Sequence, residues 1–189
     1  MATGSSGSRP RRQSRRPAVE VLRVGHRPGR DPRLTTHVAL AARAFGADRM
    51  YLHPPDPELA SRLADVVVGW GGQFEIAPAG DWKKVVRGFD GAVVHLTMYG
   101  EGLAKVLPRL ARERRILLVV GGAKVPPDLY RLATYNVAVG HQPHSEVAAV
   151  AVTLERLKGL PGSRRLPGAR RWIVPRARGK KLVERKGSR

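Results

Sequence analysis

Short apolar runs alternate with helical periodicities through most of the chain. Residues 19–24, 50–52 and 74–77 read as strands, and residues 92–96, 116–120 and 137–139 continue the series. The runs at 92–96 and 116–120 are apolar and β-branched, as strands covered on both faces tend to be. Residues 35–45 place Val38, Ala41, Ala42 and Phe45 at helical spacing, and Gly46 follows in the position of a left-handed cap. Residues 57–68 put Leu59, Leu63, Val66 and Val67 on one face of a second helix. Asp81 is placed to cap a short helix reaching Val86. Residues 103–111 are helical, with Pro108 set to kink or end the helix. The cleanest helix spans residues 145–157, with Val147, Val150, Ala151, Leu154 and Leu157 facing inward. Trp82 and Tyr99 read as core packing rather than as stacking platforms. The alternation predicts an α/β domain over residues 18–160, a mainly parallel sheet with helices on both faces.

The pattern changes beyond Gly159. Residues 171–174 and 181–184 are short strand-like runs around Pro175, Ala177 and Gly179, which predicts a β-hairpin within a basic extension over residues 161–189. Residues 1–17 hold five arginines and no acid, with glycine, serine and proline making up much of the rest. That stretch cannot bury a core, and it is expected to be a disordered basic tail.

Charge sharpens this division. The 189 residues contain 35 Lys and Arg against 15 Asp and Glu, a net +20. The two ends supply most of the excess, because residues 158–189 add twelve basic residues against the single acid Glu184. Such a balance points to a polyanionic partner, nucleic acid or an anionic membrane surface. The chain has no cysteine, which excludes disulfides, cysteine zinc sites, iron–sulfur clusters and a thiol nucleophile. The longest apolar run is too short to span a bilayer, and no signal-peptide core follows the basic start, so the expected location is cytoplasmic.

Ligands of parallel α/β sheets sit beyond the carboxyl ends of the strands. Three segments there are rich in glycine and proline: Thr97 to Gly102, Gly121 to Pro127, and Gly140 to Glu146. Their amides and carbonyls can grip a small polar ligand. Neither a dinucleotide fingerprint nor a P-loop is present. His141 and His144 lack a third ligand of obvious geometry and read as polar loop residues rather than metal ligands. The segment from Arg23 to His37 follows a strand, enters a helix, and carries Arg23, Arg27, Arg30 and Arg33. Its natural chemistry is a phosphate clamp.

The stretches "LRVGHRPGRDPRLTTHVALAARAFGAD", "VVHLTMYGEGL", "LLVVGGAKVPPDLYRLATYNVAVGHQPHSEVAAVAVTLERL" and "IVPRARGKKLVE" closely resemble the archaeal tRNA (cytidine-56) ribose 2'-O-methyltransferases of the SPOUT superfamily. The resemblance runs in order from about Val19 to Glu184. It implies a C-terminal trefoil knot, S-adenosyl-L-methionine as methyl donor, tRNA as substrate and a homodimer. It also implies that the three segments hold the donor. Carried over, they nominate Leu96, then Gly121, Gly122, Ala123, Lys124 and Val125. The third segment adds Val139, Gly140, His141, Gln142, Pro143, His144, Ser145 and Glu146. Two positions depart from the family pattern. His141 stands where "GNQPHSE" usually has Asn, and Ala123 stands where an acid commonly precedes the lysine.

Related knotted ribose methylating enzymes use an arginine of their first motif, but its spacing falls on Leu40 here. The candidate is therefore Arg27, with Arg23 and Arg43 behind it. Arginine is a poor base at its usual pKa, so the expected role is to position a phosphate. The rival expectation is a non-catalytic RNA-binding protein with a vestigial cofactor pocket, and binding of the methyl donor separates the two.

Overall fold

A computed structural model describes residues 16–122, 125–163 and 165–185. The expected N-terminal tail lies almost wholly outside the described residues. Six strands, β1 (Ala18–Val24), β2 (Arg49–His53), β3 (Glu75–Pro78), β4 (Ala92–Gly102), β5 (Arg115–Gly121) and β6 (Tyr135–Ala138), form one sheet in the order β3-β2-β1-β5-β4-β6. Every pairing in it is parallel. The helices are α1 (Pro32–Ala44), α2 (Pro57–Trp70), α3 (Trp82–Arg87), α4 (Leu103–Leu110), α5 (Pro127–Leu132) and α6 (Glu146–Lys158).

The period-two alternation of the strands splits the core into two layers. Val19, Val21, Ile116 and Leu118 face Val38 of α1, Leu59 of α2, Val106 of α4 and Leu154 of α6. Leu22, Val24, Leu117 and Val119 face Trp82 and Val86 of α3 and Leu129 of α5. The sheet is therefore covered on both sides, and β1 is buried from Val19 to Val24.

Two expectations change, and one helix is added. The segment Thr97 to Gly102 is not a free loop: β4 continues through it, with a bulge between Leu96 and Glu101 where the pairing to β6 shifts register. Gly100 allows this, since a Cβ there would stand 2.4 Å from the Asn136 carbonyl carbon and the Val137 nitrogen. Tyr99 is 80% exposed rather than packed in the core, whereas Trp82 is buried as expected. The helix α5 was not legible in the periodicity. Pro108 lies inside α4, which stops two residues later, as its expected effect of kinking or ending the helix allows.

The extension forms β7 (Arg171–Ile173) and β8 (Leu182–Glu184), an antiparallel pair with Trp172 opposite Val183. It docks at the amino-terminal end of the sheet. The helix α6 carries the chain back there, where Lys158 Nζ lies 3.5 Å from Asp48 Oδ2, just ahead of β2. The Arg170 N–H then donates to the Gly69 carbonyl at 3.0 Å, and the Gly72 N–H to the Pro167 carbonyl at 2.8 Å. Gly71 has a φ of 75°, and a Cβ there would stand 2.5 Å from the Pro167 oxygen, so this junction requires glycine.

Candidate active site

The strand order reverses between β1 and β5, which opens a crevice at their carboxyl ends. Register places Arg23 opposite Val120 and Val24 opposite Gly121, so the end of β1 lies beside the glycine turn. Alternation along β1 turns Arg23 toward the α1/α6 face, where it is fully buried. Its Nη1 donates to the Val24 carbonyl at 2.9 Å, and its Nη2 lies 3.7 Å from Glu146 Oε1. A Cβ on Gly122 would stand 3.7 Å from Nη2, so the guanidinium packs on that turn. Among the described residues, Arg23 Nε and Nη2 have no hydrogen-bond partner. Burial lowers the Arg23 pKa, and the charge of Glu146 acts in the opposite direction.

Arg23 thus joins the second and third segments, and His141 joins the third to the first. Its Nδ1–H donates to the Met98 carbonyl at 2.8 Å, a donor that an asparagine amide would also offer. Ser145 caps α6 by accepting from the Ala148 N–H at 3.2 Å, and Glu146 sits in the first turn, where the helix dipole favours an anion. His144 Nδ1 donates to the Gln142 carbonyl at 2.7 Å, and Gln142, Pro143, His144 and Ser145 are all exposed. Leu96 is buried at the bulge, opposite Val137. The Val125 side chain covers Gly121, where a Cβ would clash with its Cγ2 at 2.6 Å. Ala123 and Lys124 lie outside the described residues. A cavity of about 370 Å³ opens between α4, the end of β6 and α6, lined by Leu103, Leu107, Ala138, Val139, Gly140 and His141 among others. A Cβ on Gly140 would meet no atom within 4 Å.

The other two arginine candidates stand apart. Arg27 lies three residues beyond β1 with its side chain half exposed. Asp31 holds it by a fork: Nε donates to Oδ2 at 2.7 Å and Nη2 to Oδ1 at 3.0 Å. That bond raises the Arg27 pKa and lowers the Asp31 pKa. Arg43 is a correction. Because α1 runs antiparallel to the strands, its last turn lies at the amino-terminal end of the sheet, and Arg43 Nη2 donates there to the Gly71 carbonyl at 2.5 Å. This chain does not bring Arg43 to the crevice.

Two polar networks were missed in the sequence. His26 is buried and bonds to Thr35 Oγ1 at 2.8 Å and to Asp56 Oδ2 at 3.0 Å, while Asp56 Oδ1 accepts from the Leu59 N–H at 2.9 Å to cap α2. Those bonds, the one from Leu59 foremost, hold the Asp56 carboxyl below its usual range. The second network runs behind the bulge. His95 Nδ1 lies 2.8 Å from Asn136 Oδ1, the His95 ring meets Tyr130 edge-on at 4.6 Å, and the Tyr130 hydroxyl lies 3.2 Å from Thr97 Oγ1. The signal for both was a histidine inside or directly after an apolar strand.

Residues 70–183 match the model of a family described as tRNA ribose 2'-O-methyltransferase. A tRNA (cytidine(56)-2'-O)-methyltransferase of Cenarchaeum symbiosum is 48% identical over 169 residues, which cover 88% of this chain and 97% of that one. The enzyme of the same name from Archaeoglobus fulgidus is 49% identical, covering 87% of this chain and 98% of its own. The fold matches the SpoU methyltransferase AviRb of Streptomyces viridochromogenes, solved with AdoMet, with a TM-score of 0.52 and 18% identity, covering 76% of this chain and 57% of that one. An rRNA methyltransferase of Sinorhizobium meliloti gives a TM-score of 0.55 at 18% identity, covering 76% and 56%. With a sheet of this order, glycine turns at its switch point and relatives matching along almost their whole length, the chain belongs to the tRNA ribose 2'-O-methyltransferase family.

Proposed function

We propose that the chain transfers a methyl group from S-adenosyl-L-methionine to the ribose 2'-hydroxyl of cytidine 56 in tRNA. The observation that carries this reading is the convergence at the switch point, where buried Arg23 ties the glycine turn after β5 to Glu146 at the start of α6. The site fits the donor. A cavity of about 370 Å³, lined by Val139, Gly140 and His141 of the third segment but not by Arg23, Glu146 or the glycine turn, falls within the range of roughly 300–1,000 Å³ usual for small-molecule sites. Gly140 leaves open space there, and apolar Leu103, Leu107 and Val139 offer walls. Leu96, the turn from Gly121 to Val125 and the segment from Val139 to Glu146 would hold the donor, whose sulfonium supplies an activated methyl group. The rival reading as a non-catalytic RNA binder is not favoured, because the relatives that match along most of this chain carry an enzyme's name.

The chain's own residues divide the work. Arg23 is a positioning residue, sealed from solvent, that keeps two donor segments in register. Arg27 remains the candidate for the RNA. Asp31 occupies its Nε and Nη2 and leaves Nη1 for a phosphate oxygen or the reacting hydroxyl. The same bond tightens its hold on the proton, so Arg27 orients and does not act as the base. The knot, the homodimer, a cytoplasmic location and the division into a tail over 1–17, a methyltransferase domain over 18–160 and a basic extension over 161–189 belong to the same proposal. No described helix is long and apolar enough to cross a membrane.

The test is to incubate the protein with unmodified tRNA and label-bearing methyl donor, digest the product and map the label. One 2'-O-methyl group at cytidine 56 is expected. Label at another nucleotide or on a base, or none with folded protein, overturns the reading.

A further inference from the structure

A second cavity, of about 350 Å³, lies far from the crevice, between the end of α2, the linker after α6 and the β7–β8 hairpin. Its polar character comes from three guanidiniums, Arg43, Arg165 and Arg171, and its walls include the rings of Trp70 and Trp172. The arginines lie against the rings: Arg165 is 3.9 Å from the Trp172 centroid and Arg171 6.0 Å from that of Trp70. Among the described residues, no Asp or Glu lines the cavity. None of the three makes an ion pair among the described residues, although many surface arginines elsewhere do. Buried Arg43 Nε has no hydrogen-bond partner. Gly69 leaves room for this packing, since a Cβ there would stand 3.1 Å from Arg171 Nε.

Glu184 stands opposite Arg171 across the hairpin without ion-pairing to it, so the three like charges repel one another and a polyanion relieves that repulsion. Two indole faces beside them suit a base, and planar guanidiniums suit the phosphate attached to it. We infer that this cavity is an RNA-binding site that takes a nucleotide of the tRNA other than the one methylated. The two sites lie at opposite ends of the sheet. The helix α6 alone, at 13 residues, separates them by roughly 20 Å. The inference rests on the tRNA methyltransferase reading for the identity of the RNA, and it adds where else the substrate is gripped.

The test compares the full-length protein with the double variant Arg165→Gln/Arg171→Gln. Binding of unmodified tRNA is measured across salt concentrations, and binding of the methyl donor by calorimetry. The expected result is a loss of tRNA affinity of about tenfold or more, with the salt slope flattened by about 2, since each phosphate contact contributes about 0.9. Donor affinity and thermal unfolding should stay at wild-type values. Lys84→Gln/Arg87→Gln on α3 removes the same charge elsewhere, and it should leave most of the affinity in place. Arg171→Lys on its own should keep the slope while losing part of the affinity, because charge remains and stacking goes. Equal weakening by the α3 pair, or wild-type tRNA binding by the cavity pair, overturns the inference. Failure of the wild type to methylate tRNA would instead strike the reading it rests on, and the binding comparison would still decide the cavity.

Discussion

The crevice at the carboxyl end of the six-stranded sheet and the cavity beside the hairpin treat positive charge in opposite ways. In the crevice, Arg23 is sealed from solvent beside Glu146, and Arg27 is clamped by Asp31. Beside the hairpin, Arg43, Arg165 and Arg171 surround a cavity with no acid among its described lining residues. Charges paired inside the chain stiffen a site before any ligand arrives, which is what in-line transfer requires. Charges left unpaired hold favourable electrostatic energy in reserve for a polyanion. The same residue type therefore builds geometry at one end and affinity at the other.

The largest expected effect tests the paired end. Arg27→Ala should lower the single-turnover rate about 100-fold with donor and tRNA saturating, since near-attack geometry is unforgiving. The protein should stay folded and bind the donor normally. Arg27→Lys should restore little, because an ammonium cannot serve Asp31 and the substrate with one planar fork. A wild-type rate for Arg27→Ala would move the RNA-facing role elsewhere on the segment after β1.

Gly140→Val comes next. The glycine's φ is not in the left-handed region and its Cβ direction is open, so the fold should accept valine. The added methyls would point into the space assigned to the donor, and an affinity loss of about tenfold, about 1.4 kcal/mol, is expected by calorimetry. Normal donor affinity in the folded variant would take this loop out of the site. Gly121→Val is the contrasting case. There the Cβ strikes Val125 at 2.6 Å, and stability should fall together with binding.

These two glycines show where sequence reading stops. The strands were legible because β-branched runs in a parallel sheet are buried on both faces, and the long helices because their apolar stripes persist for three turns. The helix α5 has six residues behind two prolines, too few to display a period. The Thr97 to Gly102 segment reads as a loop from its own composition, and it is a strand only because β6 pairs with it. Of the three nominated segments, the second and third do follow strand ends, after β5 and β6. What joins them is long-range, since Glu146 and Arg23 are distant in sequence. Arg23 could have been placed, because a central strand that is apolar apart from Glu20 and Arg23 must bury its interior side chains. Arg43 lies at the other end of the sheet because α1 runs antiparallel to the strands, a direction its place in the sequence does not display.

At the amino end, Lys180→Gln/Lys181→Gln on the exposed hairpin should weaken tRNA binding a few-fold and flatten its salt slope by up to about 2, without changing donor affinity. Equal loss of both affinities would show that the hairpin supports the fold of the crevice, and the comparison between the two ends would fail.

The smallest effect concerns pH. His95 is buried behind the β4 bulge, and burial lowers its pKa despite the opposing bond to Asn136. A lowered histidine pKa means that the folded chain prefers the neutral ring. Above the unfolded value of about 6.5 both states are neutral and His95 adds no pH dependence. Below it the unfolded chain binds a proton that the folded one resists, so stability falls with pH, by at most about 1.4 kcal/mol per unit for one proton. The decline continues until the folded ring itself titrates. His95→Gln should remove this slope between about pH 6.5 and 5, leaving the carboxylate-driven loss at lower pH. Denaturant unfolding across that window checks it. An unchanged slope would show that His95 does not carry the acid sensitivity and would take that role away from the bulge.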